Sequence, residues 1–108
     1  MKVRDDAVFV DDILEEARKV EEFTKGMENK EFVKSELVRH AVERSLEIIG
    51  EASKSLSEDY RKKHPEIEWK KIIGLRNLIS HAYSRINADA LWEVVKNDIP
   101  KLRKTLSG

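Results

Sequence analysis

Apolar residues return at every third or fourth position through most of the chain, with charged residues between them, and this spacing predicts four helical segments. Over about residues 6–25, Phe9, Ile13, Ala17, Val20 and Phe23 share one face; Asp5 or Asp6 can cap the start and Gly26 suits the end. A short helical turn is expected over residues 31–35, followed by a long helix over 36–56 with Val38, Ala41, Val42, Ser45, Ile49, Ala52 and Leu56 on one side. Ser57 before Glu58 and Asp59 reads as a fresh cap with acid in the first turn, and that stretch runs through Lys63 until Pro65 ends it. The third segment covers residues 68–83. The fourth opens after Asn87, a good cap, and carries Leu91, Val94, Val95, Ile99, Leu102 and Leu106. Pro100 lies inside it and should kink or break it. No run alternates as a strand would, and no segment repeats. The expected fold is therefore all-α, an antiparallel bundle of four to five helices in a single domain over residues 1–108.

Gly50 and Gly74 fall inside predicted helices, where each costs about 1 kcal/mol relative to alanine. Such positions mark a close approach, either a tight crossing within the bundle or a contact between subunits.

Composition narrows the function. The 108 residues carry 21 Lys plus Arg against 21 Asp plus Glu, so the net charge is zero. A protein that coats nucleic acid through bulk charge is disfavoured, since such binding grows with the phosphates neutralised, but a local basic site remains open. With no cysteine, disulfides, thiolate catalysis and cysteine metal sites are excluded. No apolar run reaches the roughly 20 residues needed to span a bilayer and no signal peptide is visible, so a cytoplasmic location without membrane association is expected. The three histidines share no metal-ligand spacing with acids, and no glycine-rich phosphate loop occurs, so neither metal nor cofactor is expected.

The chemistry concentrates in the third segment. At about 100° per residue, Ile72, Leu75, Leu78, Ile79 and Ala82 form one apolar stripe, and Gly74, Asn77 and His81 form another nearly opposite. His81 therefore faces solvent or another surface rather than its own core, with Asn77 one turn away. Arg76 and His81 are five residues apart and diverge by roughly 140°. Two such helices meeting across a two-fold axis would assemble both groups over one phosphate more easily than a single chain. Those groups suffice for metal-free RNA cleavage: histidine takes the ribose 2′-hydroxyl proton, an acid protonates the departing 5′-oxygen, and arginine stabilises the phosphate.

That spacing alone is common, but its flanks are specific. Arg76-Asn77-Leu78-Ile79-Ser80-His81-Ala82-Tyr83 resembles the R-x4-H-x-Y motif of HepT-like toxins of the HEPN superfamily. The similarity extends through Leu46-Glu-Ile-Ile-Gly-Glu-Ala-Ser53, Pro65-Glu-Ile-Glu-Trp69, Leu91-Trp-Glu-Val-Val95, Asp98-Ile-Pro100 and the opening Arg4-Asp5-Asp6. It implies a homodimeric helical bundle with its motifs at the subunit interface. It further implies metal-independent endoribonuclease activity, with Arg76 and His81 as the catalytic pair and Asn77 in support. A minimal nucleotidyltransferase antitoxin is the implied partner, attaching AMP to the motif tyrosine, here Tyr83. Ser80 and Ala82 depart from the valine and glycine often found there and leave the reactive groups intact. The alternative is a non-catalytic module that binds nucleotide or RNA, or docks the transferase.

The remaining candidates read as structural. Trp69 and Trp92 suit core or interface, His40 a solvated face, and His64 a loop. Lys70 and Lys71, like Lys101, Arg103 and Lys104, either steer RNA or line a solvated face.

Overall fold

A computed structural model describes residues 5–81 and 85–108. Every regular element among them is helical: α1 (Asp6–Phe23), α2 (Asn29–Lys34), α3 (Glu36–Ser55), α4 (Glu58–Lys62), α5 (Trp69–Ile73), α6 (Leu75–Ser80), α7 (Arg85–Glu93), a π-helical turn (Val94–Asp98) and α8 (Ile99–Ser107). The expected all-α bundle is thus present, with α1, α3, α5–α6 and α7–α8 as its rods and α2 and α4 as short connectors. Among the described residues no helix is long and apolar enough to cross a membrane.

The predicted stripes on α1 and α3 pack against each other, and α8 closes over α1. Ile13, Ala17 and Val20 meet Val42, Leu46 and Ile49 in a core that Leu91, Val94, Ile99 and Leu102 complete, all essentially without solvent exposure. Asp5 caps α1 through the Ala7 amide. Asp6 instead reaches across to the next cap, accepting hydrogen bonds from the Ser57 amide at 2.8 Å and hydroxyl at 2.7 Å. Ser57 in turn accepts from the Tyr60 amide to start α4. One carboxylate thereby joins the beginning of α1 to the end of α3, which fixes the two as antiparallel neighbours.

Several expectations need correction. Phe23 ends the α1 stripe but is 40% exposed, because the helix stops there instead of at Lys25 and Gly26 turns the chain at φ 77°. Phe32, on the short α2, is fully buried against Trp92, with ring centroids 5.2 Å apart. The third segment is two helices joined at Gly74, the second of which ends at Ser80. Asn87 does not cap the fourth segment; it lies within α7, which already includes Arg85.

As expected, a break falls at Pro100: the α-helix gives way to a π-helical turn over Val94–Asp98, and α8 begins at Ile99 with Pro100 in its first turn. The proline ring would clash with the carbonyl four residues back, and the preceding turn widens so that the Ile99 amide bonds to the Val94 carbonyl, five residues away.

Candidate active site

The rod that carries the motif is held from below. Ile72 and Leu75 are each 2% exposed and press onto α3, while Leu78 and Ile79 are partly buried. Gly50 of α3 is buried directly under the end of α5, and a Cβ there would lie 3.2 Å from the Ile72 carbonyl oxygen. Of the two readings of this glycine, the close crossing inside the bundle is the one observed. The Trp69 indole N–H donates to the carbonyls of Arg61 and His64, at 3.1 and 3.0 Å, and so anchors the start of α5 to the loop before it. Trp92 is 8% exposed, so both tryptophans are structural.

Gly74 separates α5 from α6 with φ −84° and ψ 4°. That ψ departs from the helical value, and the Asn77 amide bonds back to the Gly74 carbonyl three residues away, at 3.1 Å. An added Cβ would meet the Lys70 carbonyl oxygen at 3.1 Å, so the tight geometry suits glycine. The apolar periodicity continues across this junction and therefore conceals it.

At the other end of α6, the Ser80 hydroxyl donates to the Arg76 carbonyl at 2.9 Å, and His81 becomes the helix's final cap. The Asn87 side-chain amide donates to the His81 carbonyl at 2.8 Å. This bond fixes the end of the motif helix to α7, a role for Asn87 that sequence reasoning missed. Only its residue type, an amide that readily bonds backbone, gave a hint.

Arg76, Asn77 and His81 are all exposed, as the stripe analysis requires of His81. They do not share one cleft. Asn77 and His81 line an open groove with Lys70, Lys71, Gly74 and Asn87. Arg76 lines a second one, with Glu47, Gly50, Glu51 and Lys54 of α3. The expected divergence around the helix is therefore observed, and the guanidinium and imidazole occupy separate flanks of one chain. Tyr83, and Ala82 beside it, lie outside the described residues.

The grooves differ in charge. Among the described residues the first has no acidic lining residue, whereas Glu47 and Glu51 face the second beside Lys54 and Arg76. Within the first, Lys71 forms an ion pair with Asp98 at 2.7 Å, and the Asp98 carboxylate beside it holds the Lys71 ammonium above its ordinary pKa. Lys71 is thus a tie between α5 and the π-helical turn, more than a solvated side chain. Among the described residues, no group of three or more His, Asp or Glu is placed to hold a metal ion.

An all-helical bundle that exposes an Arg-Asn and a His on one surface helix is what the HepT-like pattern requires. The ribonuclease HepT-like family model matches residues 13–107, and the chain belongs to that family. It is 47% identical over 104 residues to a Methanocaldococcus jannaschii protein named "Putative RNase", covering 96% of this chain and 95% of that one. It is 40% identical over 95 residues to "Probable ribonuclease HepT" of Thermococcus cleftensis, covering 88% and 86%. A longer M. jannaschii protein, named "Gamma-glutamylcyclotransferase and putative RNase", is 37% identical over 103 residues, which is 95% of this chain but 46% of that one. No solved structure matches the chain.

Proposed function

We propose that this chain is a metal-independent endoribonuclease toxin that works as a two-fold dimer. The observation that carries this reading is the exposure of Arg76, Asn77 and His81 on one helix of a ribonuclease-family bundle. The His81 imidazole takes the proton from a ribose 2′-hydroxyl, and the 2′-oxygen forms a bond to phosphorus. The bond from phosphorus to the 5′-oxygen breaks, and the departing oxygen receives the proton that His81 has taken up, leaving a 2′,3′-cyclic phosphate and a 5′-hydroxyl. Arg76 neutralises the charge that builds on the phosphoryl oxygens, and Asn77 supports it. Because Arg76 and His81 occupy different grooves of one chain, the pair is completed by a second copy.

Restraint comes from a minimal nucleotidyltransferase. The Tyr83 phenolic oxygen attacks the α-phosphorus of ATP, pyrophosphate leaves, and the phenolic proton is released. The AMP then sets an anion near Arg76 and repels RNA. The test is RNA cleavage in EDTA by the purified, unmodified protein. Wild type is expected to cut, and Arg76→Ala or His81→Ala to abolish cutting while retaining helical content. Equal behaviour of all three would overturn the reading. Intact mass after co-expression with a nucleotidyltransferase checks the modification, which Tyr83→Phe should remove.

The separation of Arg76 from His81 also favours a second reading, in which the bundle binds RNA or docks the transferase without cutting. Tight RNA binding without turnover would select it.

A further inference from the structure

Lys70, Gly74, Asn77 and His81 follow one another at spacings of four, three and four residues. On an unbroken helix this would set them along one side, within roughly 60° of each other, and the break at Gly74 leaves them together. All four line the same groove, whose described lining holds two lysines and no acidic side chain. The two lysines differ. Lys71 is neutralised by Asp98 at 2.7 Å, whereas Lys70 is exposed and, among the described residues, makes no ion pair. Between Lys70 and Asn77 the floor is Gly74, also exposed and without a side chain to obstruct a strand lying across it. Lys70 and His81 lie eleven positions apart on the two successive helices, about 16 Å at the rise of a helix, so the lysine stands well away from the reacting bond.

We infer that this groove is the track along which single-stranded RNA approaches His81, and that Lys70 grips a phosphate other than the one cut. The inference rests on the ribonuclease reading above for its direction. A chain of phosphates is the ligand indicated, because a mononucleotide at His81 is too short to reach Lys70. The groove beside Arg76 is a poorer track, since Glu47 and Glu51 there balance its two cations, Lys54 and Arg76.

The experiment measures binding of a 2′-O-methylated single-stranded oligoribonucleotide, which lacks the attacking hydroxyl, by fluorescence anisotropy across a salt series. Lys70→Ala should weaken binding by about three- to fivefold and flatten the slope of log affinity against log salt by about 0.7. A fourfold rise in salt then costs wild type about 2.6 times more affinity than it costs the variant. Lys70→Arg should restore the slope, and Lys25→Ala, the same charge change after α1, should leave it unchanged. Lys71→Ala should change it less than Lys70→Ala does. With a cleavable oligonucleotide, Lys70→Ala should raise KM at unchanged kcat. An unaltered salt slope in Lys70→Ala, or an equal loss in Lys71→Ala, overturns the inference even if cleavage is normal. An intact Lys70 effect in a protein that never cuts RNA would instead remove only the ribonuclease reading.

Discussion

Two inactive chains should rescue each other. If Arg76 of one copy works with His81 of another, a mixture of Arg76→Ala and His81→Ala chains contains dimers that retain one complete pair. The His81→Ala chain supplies the arginine and the Arg76→Ala chain supplies the histidine. The expectation follows from geometry, because the two side chains line separate grooves on opposite flanks of α6. Random pairing after co-refolding makes heterodimers about half of the population. Each keeps one Arg76–His81 pair where wild type has two, so the mixture should regain about a quarter of the wild-type rate. The assay is cleavage of a fluorescent RNA in EDTA, with differently tagged chains so that heterodimer can be isolated and counted. Each variant alone should stay at background. A confirmed heterodimer that also stays at background would refute shared catalysis and place both groups in one chain.

Two further predictions concern the scaffold. Phe32→Ala removes a ring with no solvent exposure that packs on Trp92, and should cost about 3–5 kcal/mol in urea denaturation; a loss below about 1 kcal/mol would show that α2 contributes little to the core. Hydrogen bonds from Ser57 hold the Asp6 carboxyl below the ordinary carboxylate pKa. Its contribution is therefore complete above the unfolded-state pKa and is lost as pH falls through the native value. Asp6→Asn should lower stability at neutral pH by about 0.5–1 kcal/mol, the group being only partly shielded. It should also show a shallower decline in acid, and acid denaturation curves that keep the wild-type shape would contradict this.

The long elements were legible because their burial repeats over many turns. On α1 and α3 the apolar positions recur often enough for Ile13, Ala17, Val42 and Ile49 to be identified as core from spacing. Phe32 escaped notice because a six-residue helix is too short to display a period. Phe23 shows the converse, since it completes a stripe at the point where the helix runs out of neighbours. The junction at Gly74 was hidden for a different reason: a change in one ψ angle leaves the apolar spacing on either side almost unchanged. At the candidate site, the outward placement of His81 followed from helix geometry. The Lys71–Asp98 pair and the Asn87–His81 bond did not, because each joins residues whose separation in sequence says nothing of their approach in space. Asn87 fits both a cap and a cross-link, and only the position of its partner distinguishes them.

With no side chain at Gly50, the Ile72 carbonyl at the end of α5 can sit close to α3. Any added bulk beneath would press on the end of α5 and raise the rod that carries both grooves. A random screen for loss of nuclease activity should therefore return substitutions at position 50 beside those at the motif itself. They would arise at a buried residue that never meets RNA, in proteins that still fold.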